Sequence, residues 1–343
     1  MNFLSLVTNI GRFLFTLFKF LLVTATVLVI SAAIVGHTVR DRTVELGLLM
    51  YIPLLPLGLW AVCLDISLIG RSLPKFRFGL TLIGLGIITW GSLSMIGMAD
   101  TQTNLEPSKL VSVLHWNVHW GGGRKNWKSI RNDIELRNPD IAIISEPPGR
   151  NRFKLLLKQM NWSTVKHSNT ASNTLAVCSS LPLRFERLVK IRNGKAMIAV
   201  VTVRGQSLRV LAVDGNRNMS RRHVVLSRRL LPRWRTPMLT DVAKNITAAH
   251  KRGQPIDIIA GDFNAISLSS GFDAFANAGG GYNLASKFSN GWRGTWISYL
   301  PLYDIDHVWV HKSFVGLRAK LFTNLKSDHR GQLVQFQLPV LYR

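Results

Sequence analysis

The stretch Ile258-Ile259-Ala260-Gly261-Asp262-Phe263-Asn264 reads as a buried strand that ends in chemistry. An apolar run of strand type reaches a glycine. It then delivers a carboxylate and a carboxamide two residues apart. Side chains on a strand alternate between faces. Asp262 and Asn264 are therefore expected on one face, with Phe263 turned back into the core. A carboxylate beside an amide suits a site that orients water and binds phosphoryl oxygen. The same triplet also serves as a turn or a helix cap, so its weight depends on the rest of the chain.

Working outward, the same context recurs. Residues 110–118 (LVSVLHWNV) alternate like a strand and present Asn117 near its end. Residues 140–145 (DIAIIS) form a buried strand that stops at Glu146-Pro147-Pro148, because proline cannot continue a ladder. Residues 304–310 (DIDHVWV) carry Asp306, and a last strand pair surrounds Ser327-Asp328-His329. Further strands are expected at 175–178, 183–189, 196–203 and 208–213. A helix is expected at 126–137, and another at 237–252 with Thr236 as its cap and Gly253 past its end. Strands that follow one another without a helix favour two packed sheets flanked by helices over a doubly wound parallel sheet. Five polar strand ends suggest one cluster at a sheet edge. Its oxygen donors suit a hard cation such as Mg²⁺ or Mn²⁺. Cys63 and Cys178 are the only cysteines, which excludes a disulfide framework and a Cys/His zinc spacing.

The chain has 343 residues and a formal charge of +25. The first 99 residues hold seven Lys or Arg and three Asp or Glu, leaving 36 and 15 for the rest, which is therefore at about +21. Such a surface attracts nucleic acid or anionic lipid heads; the bland alternative is a solvated basic face. The Arg221 and Arg222 pair, in a basic helical stretch, is open to the same two readings. Before residue 99 the composition is apolar, with runs at 20–36, 46–70 and 79–98. Three spans are expected on length and all-round hydrophobicity, with a cleaved signal peptide as the alternative for the first. Arg12 and Lys19 before the first run, and the basic loop 71–78, place the N-terminus in the cytoplasm. The expected organisation is a membrane region at 1–99, a linker at 100–109 and a catalytic domain at 110–343. That domain is expected to face outside the cytoplasm from a multi-pass inner (plasma) membrane anchor. Asp65 interrupts the second run and is expected near a helix end or paired within the bundle rather than as a functional acid.

Five motifs, in this order and spacing, carry a resemblance: His115-Trp116-Asn117, Ser145-Glu146-Pro147, Gly261-Asp262-Phe263-Asn264-Ala265, Ile305-Asp306-His307 and Ser327-Asp328-His329. Residues 110–343 resemble the endonuclease/exonuclease/phosphatase superfamily, which includes deoxyribonuclease I, apurinic endonucleases, neutral sphingomyelinases and inositol polyphosphate 5-phosphatases. Apolar spans ahead of the domain, and Gly291-Trp292-Arg293-Gly294-Thr295-Trp296 before the Asp306 strand, look like bacterial membrane-anchored members. The resemblance implies a four-layer α/β sandwich and a divalent-metal phosphoesterase. It implies Glu146 as metal holder, helped by Asn117 and Asp328. It gives Asp262 the task of orienting or deprotonating the attacking water. Asn264 would hold a phosphate oxygen and fix Asp262. His329 would contact the scissile phosphate with its tautomer set by Asp306.

One position departs from that pattern. Asp214 stands where many members carry a histidine, and a carboxylate cannot act as an imidazolium toward a leaving oxygen. Asp214 is therefore either a member of a variant site or the mark of a weakened enzyme that binds polyanions or anionic lipid without hydrolysis. Trp292 and Trp296 are expected either in the core or bordering the substrate cleft. His119 is open between the metal and a surface loop, while His307 and His311 read as ordinary strand histidines. The expected substrate is a phosphoester, in nucleic acid or in a phospholipid head group, and no protein partner is implied.

Overall fold

A computed structural model describes residues 3–68, 78–99, 110–122, 126–166, 175–215 and 235–339. The linker at 100–109, most of the basic loop at 71–78, and Arg221 and Arg222 lie outside the described residues. The chain divides into two compact units, Met1–Ser94 and Met95–Arg343.

In the first unit, α1 (Phe3–Val39) contains a stretch of 33 residues, Val7–Val39, in which an 18-residue window has mean hydropathy 2.4. That is long enough to cross a bilayer. The second run is broken instead of continuous: α2 (Val44–Met50) and α3 (Leu54–Ser67) meet at a 60° bend. Pro53 begins α3, and its ring cannot extend the preceding helix. The third run forms α4 (Gly79–Met95), 17 residues or about 26 Å, short of a bilayer core of about 30 Å. The expectation of three spans thus meets one helix of full length, a bent pair and a short helix. Gly58 and Gly84 bring α3 and α4 together, since a Cβ on either would lie 2.6 Å from the carbonyl oxygen of the other. Asp65 accepts hydrogen bonds from the backbone N–H and Oγ1 of Thr81, at 2.7 and 2.8 Å. Its carboxylate is spent inside the helical unit, at the start of α4.

The second unit opens with β1 (Ile96–Gly97), which pairs with the later strand β11 (Gly291–Trp292). It therefore starts upstream of the expected linker. Next come β2 (Leu110–Asn117), an irregular turn α5 (His119–Gly122), α6 (Trp127–Arg137), β3 (Ile141–Ser145), α7 (Arg150–Gln159) and β4 (Ser163–Lys166). Strands β5 (Leu175–Ser179), β6 (Leu183–Val189), β7 (Lys195–Val203) and β8 (Gln206–Asp214) follow, then α8 (Thr236–Lys251) and β9 (Ile258–Asp262). The chain ends with β10 (Tyr282–Leu284), β12 (Asp306–His311), β13 (Val315–Phe322) and β14 (Gly331–Gln337). Arg235, and not Thr236, caps α8, because the helix begins one residue earlier than expected. Gly253 follows it at φ +69°.

Two six-stranded sheets result, ordered β10-β12-β9-β8-β7-β6 and β13-β14-β2-β3-β5-β4. Each contains one parallel pair, β8–β9 in the first and β2–β3 in the second. A parallel pair needs a crossover, and α8 and α6 lie in these two connections. Val113, Ile143, Ala199, Val210, Ala260 and Val334 interdigitate between the sheets. Outside them, α8 packs on the first sheet through Leu239, Val242 and Ile246. Ile130, Ile134, Phe153 and Leu156 of α6 and α7 cover the second. The molecule's second unit is the expected four-layer α/β sandwich.

Candidate active site

The polar strand ends converge, at the same end of both sheets rather than on one edge. In the first sheet Asp262 is in register with Asp214 on one side and Asp306 on the other. Residues in register share a face of the pleat, so three carboxylate residues stand abreast. A Cβ on Gly261 would run into the Val213 carbonyl of the neighbouring strand; glycine there lets β9 press against β8 just before Asp262. The strand stops at Asp262, and Asn264 is placed by a left-handed turn (φ +49°), not by the pleat. Its backbone N–H donates to Asp262 Oδ1 at 2.9 Å. Phe263 is fully buried, edge-on to Phe272 and Phe275 as expected.

The second sheet supplies the facing groups. Asn117 Nδ2 donates to Asp262 Oδ2 at 2.9 Å across the two sheets, and Asn117 Oδ1 accepts the His119 N–H at 2.9 Å. His329 Nδ1 lies 2.8 Å from Asp306 Oδ2. The turn before β14 is fixed from below: Trp116 Nε1 donates to the His329 carbonyl at 3.0 Å, and Ser327 Oγ to that of Asn117 at 2.7 Å. Asp306 is held through its backbone, where Thr295 Oγ1 accepts its N–H at 3.1 Å and Gln332 Nε2 donates to its carbonyl at 2.6 Å.

His115, quoted from the sequence only as part of the His115-Trp116-Asn117 motif and given no role there, belongs to this network. It is fully buried, with Nδ1 at 3.1 Å from the Ile143 carbonyl and Nε2 at 3.2 Å from Asp306 Oδ1. Both carboxylate oxygens of Asp306 thus face an imidazole. The signal was present, since residues 115 and 117 share a face of β2 by strand alternation.

Glu146 sits at φ +47° immediately after β3, and its carbonyl accepts the Trp120 N–H at 2.8 Å. Its carboxyl is raised above the usual range by burial, against His329 and His119, which favour the anion; Asp214 and Asp328 add to the rise. Glu146 therefore shares its surroundings with both histidines and both acids. Asp328 Oδ1 is 2.7 Å from His119 Nδ1 and 3.9 Å from His329 Nε2. Burial would raise Asp328, but the His119 hydrogen bond and the charges of His329 and His119 hold it below the ordinary carboxylate value. Burial, then the charge of Asp306, pushes Asp262 up to about 6. Burial disfavours the charged form of His329, yet Asp306 beside it, with Asp262 and Asp328, lifts the imidazole to about 10. Asp306 is held low against its burial, by His329 and by hydrogen bonds with His115 and His329.

Among the described residues, ligand atoms of Asp262, Asp306 and His329 lie within 4.8 Å of one another, a buried acid/His group compatible with a metal ion. Asp306 and His329 are already bonded to each other there. The charges of Asp214 and Asp328 bear on Glu146 nearby, and oxygen donors of this kind are the type a hard divalent cation takes.

The two tryptophans differ. Trp296 pairs with Tyr303 and bridges to His329, so it borders the site. Trp292 stands farther out in β11, its Nε1 donating to the Pro301 carbonyl at 2.5 Å. Between them Arg293 forms a buried pair with Asp304 at 3.0 Å and anchors the segment. His307 and His311 are strand histidines, bonded to the Ala265 and Gly279 carbonyls.

A model of the Endonuclease/Exonuclease/phosphatase family matches residues 114–329. No curated protein sequence matches the chain. Among solved structures, the human Nocturnin catalytic domain with bound sulfate anion is similar at 18% identity and TM-score 0.50, over 68% of this chain and 96% of that one. TDP2 from C. elegans is similar at 15% and 0.51, over 69% and 78%. An endonuclease/exonuclease/phosphatase from Bacteroides vulgatus is similar at 15% and 0.51, over 67% and 99%. At these identities the structures agree in fold. The family match spans every strand end that builds the cluster, and the chain belongs to the endonuclease/exonuclease/phosphatase family.

Proposed function

We propose that the chain is a membrane-anchored, divalent-metal-dependent phosphoester hydrolase. The observation that carries this reading is the pairing of two opposed groups in one cleft: Asp262, held by Asn117 and Asn264, and His329, held by Asp306. A carboxylate that titrates near 6 can accept a proton from water at neutral pH, and an imidazolium can meet charge developing on phosphate oxygens. Glu146, Asn117 and Asp328 would hold Mg²⁺ or Mn²⁺, which supplies charge stabilisation at the phosphoryl group. Trp296 borders the substrate, and Trp292 supports the same rim. The charge of about +21 on residues 100–343, Arg221 and Arg222 included, favours a polyanionic substrate, nucleic acid or anionic phospholipid head group.

The anchor is read as the inner (plasma) membrane, spanned by α1 with its N-terminus inside. With α1 as the single crossing, the catalytic unit lies outside the cytoplasm; a second crossing by the bent α2–α3 pair would reverse this. The test is hydrolysis by the full chain in detergent, with Mg²⁺ or Mn²⁺, of DNA, phospholipids, and generic phosphodiesters and phosphomonoesters. Activity lost in Asp262→Asn supports the reading. A second reading, binding without hydrolysis, is favoured by Asp214 alone, and equal inertness of wild type and Asp262→Asn with metal bound would establish it.

A further inference from the structure

Residues 291–296 form a strap that reaches both members of the Asp306–His329 pair. On one side, Thr295 Oγ1 accepts the backbone N–H groups of Ile305 and Asp306, each at 3.1 Å. On the other, Trp296 bridges to His329, and the Thr295 carbonyl accepts the Arg330 N–H at 2.8 Å. Asp306 opens β12 in the first sheet, while His329 and Arg330 lead into β14 in the second. The strap is thus a backbone link between two side chains that come from different sheets.

Arg330 clamps it. Its Nη1 donates to the carbonyls of Trp292 and Gly294, both at 2.9 Å. Gly294 itself offers no side chain to pack, and a Cβ there would run into the Pro301 carbonyl. The guanidinium has no carboxylate partner among the described residues; burial lowers its pKa and no neighbouring acid raises it. Its Nε is buried with no hydrogen-bond partner. A half-buried cation with an unmatched donor costs stability, so stability alone does not account for the clamp. A planar nitrogen carrying two fixed N–H groups suits two carbonyls two residues apart. A lysine ammonium, on a flexible stem, does not fix such a pair.

We propose that Arg330 is a positioning residue for the Asp306–His329 pair: through the strap it sets where the His329 ring stands relative to Asp306 and to the phosphate it faces. The proposal rests on the hydrolase reading above and adds to it a residue that acts through the strap and not on the substrate.

The test uses full chains in detergent with Mg²⁺ or Mn²⁺. The probe is bis(para-nitrophenyl) phosphate, replaced by the panel phosphoester that wild type turns over fastest if wild type is inert on the first. Thermal melts set an assay temperature at which wild type, Arg330→Lys and Arg330→Ala are all folded. Arg330→Ala should lose about 10²-fold in kcat, the scale of an ångström misplacement at a reacting centre, with KM little changed. Added guanidinium, well below denaturing concentrations, should restore part of that kcat while leaving wild type and Arg330→Lys unimproved. A partly unfolded population would show the opposite, since guanidinium favours the unfolded chain. Arg330→Lys, which keeps the charge and most of the stem, should lose kcat as well, and it carries the test if Arg330→Ala does not fold. Wild-type kcat in either variant overturns the proposal. A rise in KM at unchanged kcat does the same, because it puts Arg330 on the substrate. Both results leave the hydrolase reading standing, whereas wild type inert on every phosphoester removes both.

Discussion

Asp262 and His329 face each other across the cleft and titrate on opposite sides of neutrality, at about 6 and about 10. On the proposed reading, water activation requires Asp262 ionised and charge stabilisation requires His329 protonated. Turnover should therefore rise through pH 6 and fall toward pH 10, and a pH–rate profile checks both limbs. The sign for stability is fixed by the same shift. His329 is raised above its unfolded value of 6.5, so its contribution is complete below 6.5 and is lost as pH rises through 10. The melting temperature of the metal-free chain should fall over that window, and His329→Ala should flatten the fall. Because Asp306 acts through His329, the two alanine variants should each cost turnover and the double variant little more, as residues working as a unit are not additive; a double-mutant cycle on kcat/KM measures this. Asp214 allows another expectation. Asp214 lies in register with Asp262, and a Cβ on the next residue, Gly215, would collide with the Phe263 carbonyl. The backbone there has no room to shift for a larger ring, so Asp214→His should restore no more activity than Asp214→Ala in the same assay. The strand-end acids were legible in the sequence because an apolar run that stops at a carboxylate is a local pattern. The hydrogen bond of His115 to Asp306 was not, since it joins residues 191 apart.

At the scale of elements, periodicity recovered most strands and the helices that cross between them. It missed the short strands β4, β10 and β1, the last because two residues between an apolar helix and a polar stretch carry no period at all. Yet β1 is bound in register to Gly291–Trp292, and the Met95 carbonyl accepts the Arg293 N–H at 2.8 Å. The same segment runs on to Thr295, which holds the Asp306 N–H, and to Trp296 beside His329. A fragment beginning at Met95 should thus melt at a higher temperature than one beginning at Leu110. In the full chain, Gly97→Val should cost about 1–3 kcal/mol by overpacking, because its Cβ would meet Ser289 Oγ and lie 2.6 Å from the Ser286 carbonyl. Denaturant unfolding of the two proteins measures the difference.

For the whole molecule, hydropathy found the apolar first hundred residues but could not see the bend at Pro53 or the shortness of α4, because a window average is blind to where a helix breaks. Crossing number decides on which side the catalytic unit lies. A reporter active only outside the cytoplasm, fused after Arg343, should be active; activity confined to a cytoplasmic reporter would reverse the orientation.

The hydrogen bonds that close the cleft join residues far apart in the chain: Asn117 to Asp262 across 145 positions and Trp116 to His329 across 213. A ribosome delivers these residues in order. Neither sheet alone carries both Asp262 and His329, the groups proposed to orient water and to face the phosphate. A nascent chain of this sequence, however well its early strands have folded, holds no competent site until His329 has emerged and β14 has closed against β2. On the proposed reading, phosphoesters of the compartment in which the chain is made are out of its reach for as long as it is being made.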